Sequence, residues 1–364
     1  MAYPTITGAV LIEANGAALN NAGQAEGLRV ENAIVVKQIR IGRLRYPYVS
    51  GQAWRRWWRE VLYTDFGWTP SEVIREAKSA YTKGDPIAYE EDDLFGYMAA
   101  RKRARGRRRG AEGGEETTEG ATGTYRRISP LKNSLLISVL PNVITSDFGH
   151  FSRNLPPDTD IIPFESEHYT TYLQGVFTIS LMDVGRFEVG EMRDLSDEIV
   201  DAHPNELQRD ANNDRVYWLP KEKRVERVQQ VIQALARLRG GAHLARNLSD
   251  VTPVVVLVGF VGGGNAPFQR LFNADENNER VVLNLERLAS VLSDYKDRLL
   301  KPDNGKAIVF GYRPTVLANE EEVLRAFLEE EPFKNCIEVA GTPKQALEKV
   351  ANIVPKAFEL LGGD

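Results

Sequence analysis

The chain has 364 residues, 42% of them hydrophobic and 27% charged, with a net charge of −5. That length and apolar content suit two domains or one decorated domain with a sizeable core, and an acidic balance by itself argues against a polyanion partner. One cysteine, Cys336, excludes an internal disulfide framework and fits a reducing cytoplasm, and four histidines leave a His/Cys metal centre short of ligands.

Residues 5–14, TITGAVLIEA, read as a buried first strand, and 15–28, rich in Asn, Gly and Ala, as a loop. No signal peptide or membrane span is expected in this stretch. Asn32 to Leu44 alternates loosely and reads as a strand or hairpin arm. Charge is not spread evenly. From Arg29 to Arg59 stand Arg29, Lys37, Arg40, Arg43, Arg45, Arg55, Arg56 and Arg59 against the single acid Glu31, a basic stripe on an acidic chain.

The stripe ends in YPYVSGQAWRRWWREVL, Tyr46 to Leu62. Pro47 cannot sit inside a helix and Ser50 is a good N-cap. From there Trp54, Trp57, Trp58, Val61 and Leu62 share one apolar helix face. Arg55, Arg56 and Arg59 fall off it. Arg55 and Arg59 are like charges four apart, costing roughly 0.2–0.5 kcal/mol unless something anionic neutralises them. A helix N-terminus adds free N–H groups and positive potential. Two readings stay open, a phosphate platform or a solvated helix face.

A second helix is expected over 69–82, with Thr69 as N-cap, Pro70 at N1 and Glu72 at N3. Asp92 and Asp93 could bind a metal or move protons, but such a pair more often caps a helix or faces water, and no third ligand stands at a recognisable spacing. Residues 101–124 open with seven basic residues in nine and have no apolar face to bury, so they read as a disordered loop, either scanning nucleic acid or merely inserted. A strand follows at 134–140. Residues 141–171, with Pro156, Pro157, Pro163, Phe148, Phe151, Phe164, Tyr169, His150 and His168, read as irregular. Then come a strand at 172–184, an amphipathic helix at 221–239 stopped by Gly240 and Gly241, and a buried strand at 253–261. Gly262 to Asn265 lacks the ending of a nucleotide-binding loop and reads as a tight turn. Helices are expected near 285–299, 320–330 and 343–361, and a strand at 307–312, with capping boxes at Asn319/Glu322 and Thr342/Gln345. The order of the main elements is βαββαβ. That predicts an α+β fold with a ferredoxin-like split, shared by RNA-recognition domains, carrying large insertions after the first helix and between the middle strands.

At this point the residues resemble the backbone subunit of type I CRISPR Cascade, in the repeat-associated RNA-binding (RAMP) superfamily and its DevR-like branch of type I-B systems. The resemblance rests on Arg43-x-Arg45 leading into Ser50-x-Gln52-x-x-Arg55-x-x-x-Arg59, on Leu94-Phe95-Gly96-x-Met98, and on the aromatic insertion before Tyr172. It covers about residues 1–275. It implies a single decorated domain over 1–364. The palm comprises 1–62, 131–140 and 172–275, the fingers 63–130 with their basic loop at 101–124, and the thumb 141–171. C-terminal α/β elements occupy 276–364.

The resemblance further implies that Arg29, Lys37, Arg43, Arg45, Ser50, Gln52, Arg55, Arg56 and Arg59 meet guide-RNA (crRNA) phosphates, with Met98 and Phe148 as base wedges. Copies would stack head to tail into a helical filament for DNA recognition in antiviral defence. Partners would be crRNA, target DNA, other copies, a guide-end cap subunit, a large PAM-reading subunit and a small subunit, with no membrane and no cofactor. RNA-cleaving type III relatives carry an acid in the loop after the first strand; here Asn20 and Asn21 stand there and Glu26 is the nearest carboxylate. An amide is a poor base and a poor Mg²⁺ ligand, so the expectation is a non-catalytic cytoplasmic binder. The alternatives are a type III-like nuclease using Glu26 with Asp92 or Asp93, and a ferredoxin-like enzyme for a small phosphorylated substrate.

Overall fold

TITGAVLIEA lies within the central strand of a large sheet. In the computed structural model residues 3–23, 33–76, 79–102, 122–151, 154, 156 and 159–361 are described. The main path of the sheet uses β1 (Pro4–Ala17), β2 (Gln38–Ile41), β3 (Leu44–Val49), β4 (Leu136–Ser138), β5 (Ile162–Ser180), β6 (Pro253–Gly262), β7 (Ile308–Tyr312) and β8 (Ile337–Val339). Their spatial order is β8-β7-β6-β1-β5-β4-β3-β2. Every neighbouring pair is antiparallel except β7 with β8. This is a mixed α+β architecture.

The unbroken apolar runs of β1 and β6 follow from burial on both faces. On one face Ile6, Val10 and Ile12 meet helices α1 (Gly51–Phe66), α2 (Lys221–Leu235) and α3 (Pro343–Glu359) through Trp54, Trp58, Val231, Leu235, Val350 and Val354. On the other, Ala9, Leu11, Val255 and Leu257 meet Phe268, Phe272, Leu288 and Phe327 of the C-terminal region. Gly8 is needed for this packing: a Cβ there would stand 2.5 Å from the Phe177 ring, which sits edge-on to Trp58. Trp54 stacks on Trp58 at 5.7 Å, and Trp58 Nε1 donates to Val231 O at 2.8 Å, tying α1 to α2. Among the described residues no helix is long and apolar enough to cross a membrane.

Several expectations are corrected. Residues 69–82 form a hairpin of Val73–Glu76 with Ser79–Thr82, not a helix. Val73 is 57% exposed and Ile74 is exposed too, so a helix here would have had no apolar face to bury, and β-branched residues suit a strand. The 134–140 strand shrinks to β4, and a separate strand, Leu131–Asn133, precedes it; both pair with β5. The segment read as irregular is regular: Ile144–Phe151 pairs antiparallel with the first part of β5, so β5 starts at Ile162 and not at Tyr172. The loop expected over 15–28 begins later, because β1 runs to Ala17 and Asn21–Gly23 pairs with Ala33–Val36. Residues 24–32 lie outside the described residues. So do 103–121, most of the expected basic loop; its two flanks, Tyr97–Lys102 and Thr122–Arg127, pair as a hairpin. At the C-terminus the Thr342/Gln345 capping box forms. Asn319 caps nothing with its side chain, which instead bonds both N and O of Leu283.

Candidate nucleic-acid interface

The basic stripe folds into a hairpin, β2–β3, followed directly by α1. Arg40 stands opposite Arg45 in the register, and both are exposed, as is Arg43 in the turn. Like charges facing each other across a ladder are destabilising. Among the described residues no carboxylate lies within ion-pair distance of Lys37, Arg40, Arg43 or Arg45. Arg40 belongs to the stripe but not to the sequence motif; only the strand register reveals it as Arg45's partner. Asn142, which sequence reasoning also missed, holds Arg45 in place: its Oδ1 accepts from Arg45 N at 3.0 Å and its N–H donates to Arg45 O at 2.7 Å.

The start of α1 is tied to this hairpin through Asn20. Asn20 Oδ1 accepts from Ser50 N at 2.9 Å, and Asn20 O accepts from Lys37 N at 2.9 Å. Ser50 itself caps the helix, its Oγ accepting from Ala53 N at 3.3 Å. Gln52 is exposed on the first turn. The N-terminus of α1 thus follows directly on a hairpin whose cations have no carboxylate partner among the described residues, an arrangement suited to phosphate.

The helix arginines behave differently. Arg55 points inward. Its Nη1 donates to Leu131 O at 2.8 Å and Asn133 Oδ1 at 3.0 Å, and its Nη2 to Phe95 O at 2.7 Å and Ser129 Oγ at 2.9 Å. Burial, then the neighbouring Arg59 charge, pushes its pKa down to about 10, which leaves it protonated at neutral pH. Arg59 lies 5.5 Å from the Phe95 ring centre and 3.6 Å from Glu91. The Arg55/Arg59 repulsion is thus answered inside the molecule and does not itself call for a ligand. In this arrangement Arg55 has no donor fork left for a phosphate, a correction to its expected role. Arg56 faces water and pairs with Glu60 at 2.8 Å.

The acidic pair is also taken up by the fold. Asp93 is 0% exposed and accepts from Arg127 and from Arg227, the latter at 2.7 Å. Asp92, buried as well, accepts from Ser71 Oγ at 2.8 Å and Asp85 N at 3.0 Å, and burial raises its pKa. Neither is placed for metal or proton-transfer chemistry. Among the described residues no group of three or more His, Cys, Asp or Glu is placed to hold a metal.

Met98 is 69% exposed and faces Arg126 across its hairpin. Phe148 is 66% exposed and faces Glu165, with Phe151 and Ile162 exposed at the same hairpin's end. Arg29 and Glu26 lie outside the described residues.

Residues 6–282 match the family described as "CRISPR-associated negative auto-regulator DevR/Csa2". No curated protein matches the chain. Among solved structures, a chain of a "CRISPR RNA-guided surveillance complex" is similar at 11% identity over 96% of this chain and 98% of its own, with a TM-score of 0.45. A chain of a "CRISPR RNA-guided surveillance complex, pre-nicking" is similar at 10% identity over 96% and 100%, with a TM-score of 0.47.

Proposed function

The chain belongs to the CRISPR-associated DevR/Csa2 family, and from that premise we propose that it is a non-catalytic, crRNA-binding backbone subunit of a Cascade-type surveillance complex, of type I-B. The observation that carries this reading is the β2–β3 hairpin. Its unpaired Lys37, Arg40, Arg43 and Arg45 border a helix N-terminus held by Ser50 and Asn20. Such a surface recognises phosphates without regard to base sequence, as a guide carrier must.

The rest of the molecule is consistent with it. The antiparallel order β6-β1-β5-β4 is what a ferredoxin-like palm of the RAMP type requires. On this reading insertions 63–130 and 141–171 are the fingers and thumb, and the exposed apolar side chains of Met98 and Phe148 are available as base wedges. A hairpin reaching over the next copy makes a heterologous contact that does not close, hence a helical filament. Within that assembly the partners are target DNA, further copies, and the cap, large and small subunits, in the cytoplasm. The nuclease alternative gains no support from Asp92 and Asp93, whose oxygens are occupied.

The test is to express the chain with a CRISPR transcript, purify it, and probe the bound RNA by nuclease footprinting. RNA of uniform length with evenly spaced protection is expected, and target strands should survive in Mg²⁺. Phe148→Ala should blur the spacing with little loss of affinity. Absence of RNA, or magnesium-dependent cuts at regular spacing, would overturn the reading.

A further inference from the structure

A second cationic surface lies between the Thr122–Arg127 strand and the loop after β5, around a cleft of 350 Å³. Three acidic side chains line it, and all are engaged. Asp183 accepts from Tyr3 and Ser180, Glu188 pairs with Arg193 at 3.1 Å, and Asp194 faces Arg127 at 3.4 Å. Arg126 and Lys132 remain exposed and, among the described residues, without a carboxylate partner.

Between these cations stand apolar side chains that serve no core. Ile128 is 70% exposed and Met192 is 48% exposed. Met192 adopts φ +60°, a left-handed conformation that an unbranched L-residue rarely takes. It is held there by a web of backbone bonds: Met192 N to Thr124 O at 2.9 Å, Arg126 N to Arg193 O at 3.0 Å, and Gly190 N to Leu195 O at 3.0 Å. Strain of this kind persists only where the surroundings over-determine it, and here it fixes an exposed methionine beside two free cations. Exposed apolar side chains on a fixed backbone, flanked by cations with no carboxylate partner among the described residues, complement one chemistry well, a single strand of nucleotides with charged backbone and stackable bases.

We infer that this cleft is a second seat for single-stranded polynucleotide, with phosphates on Arg126 and Lys132 and a base against Met192 and Ile128. The inference rests on the nucleic-acid reading above but not on the β2–β3 hairpin. The strand it holds is either the guide or its complement.

Fluorescence anisotropy of the full chain with labelled oligo(U) and oligo(dT) tests it. The Arg126→Glu/Lys132→Glu variant should weaken binding about tenfold at low salt and flatten the log–log salt slope by about 0.7 for each phosphate no longer neutralised. Its melting temperature should not move, because among the described residues neither side chain has a carboxylate partner to lose. Met192→Gly relieves the left-handed strain, so it should keep or raise the melting temperature while weakening binding severalfold. A loss confined to oligo(U) assigns the seat to the guide, and a loss confined to oligo(dT) assigns it to a DNA strand; both support the cleft. If only Arg43→Glu/Arg45→Glu weakens binding, the cleft is overturned and the hairpin platform stands. If only the cleft variants weaken it, the cleft stands and the platform falls. A parent that binds neither probe overturns both.

Discussion

Arginines of one basic stripe divide into two populations with opposite duties. Arg40, Arg43 and Arg45 are exposed on their hairpin, and among the described residues no carboxylate lies within ion-pair distance of them. Arg55 and Arg59, a few residues on, are covered by the Glu90–Leu94 helix and the 129–133 segment, and spend their charges on carbonyls, a ring and Glu91. Both groups contribute the same +1 each to the sequence, yet only the first contributes to a surface field. A buried guanidinium joins α1 to the backbone at Phe95 and Leu131; an exposed one is open to an anion. The lesson is that a run of basic residues measures charge supply, and the acceptors within reach decide how much is left over.

Removing the inward arginine gives the largest expected effect. Arg55→Ala deletes four hydrogen bonds and takes the guanidinium donor from Phe95 O and Asn133 Oδ1, while Leu131 O keeps Ser129 Oγ, a cost of about 2–3 kcal/mol. The melting temperature should fall by several degrees. Arg55→Lys should recover only part of it, since an ammonium lacks the fork that reaches four acceptors at once. RNA affinity per folded molecule should hardly change. A variant with the parental melting temperature and poor RNA binding would place Arg55 with the outward group and break the comparison.

The outward arginines should show the converse. Arg40→Ala, Arg43→Ala and Arg45→Ala should each leave the melting temperature within a degree or two, or raise it slightly where the Arg40/Arg45 repulsion is relieved. Every phosphate that loses its cation should flatten the salt slope for RNA binding by about 0.7, alike for different sequences. Asn142→Ala, which removes the Oδ1 acceptor of Arg45 N but keeps the backbone bond to Arg45 O, should weaken binding less than Arg45→Ala. Salt titrations of the four variants check this ranking, and an unchanged slope in all of them would move the platform elsewhere.

What was legible in the sequence follows from the range of the interactions concerned. β1 and β6 were readable because their apolar runs are long and unbroken, α1 and α2 because their apolar residues recur at helical spacing. The hairpin at 73–82 was not, because Thr69, Pro70 and Glu72 resemble a helix start whatever the burial of the residues that follow. The pairing of Phe148 with Glu165 is invisible to local reading, and Pro163, a strand breaker by rule, sits near the end of the hairpin where a missing N–H costs little. At the site, the supply of charge was legible and its direction was not. Asp93 shows the same limit: its cations, Arg127 and Arg227, are 34 and 134 residues away, so no local reading of Asp92 and Asp93 could show that Asp93 is a buried ionic joint.

One further inward cation can be switched off by pH alone. His203 Nε2 lies 3.0 Å from Asp85 and Nδ1 lies 2.9 Å from Glu206, which also binds Lys223 at 2.9 Å. With a carboxylate at each ring nitrogen, both nitrogens must donate, which requires the imidazolium. Burial lowers its pKa, but the bonds to Asp85 and Glu206 outweigh that, and the net shift is upward. For a group whose folded pKa is raised, the stabilisation is complete below the unfolded value, about 6.5, and is lost as pH climbs through the folded one. Melting temperature should therefore decline modestly as pH rises above about 6.5, by less than Arg55→Ala costs, and His203→Gln should flatten that slope. Glu206, whose pKa is lowered first by Lys223 and then by His203, titrates below this window and does not confuse it. RNA affinity over the same range should stay level, because His203 bonds Asp85 and Glu206 and not the β2–β3 hairpin. A parallel loss of RNA binding with pH would mean that inward and outward cations are coupled, and the division between them would have to be redrawn.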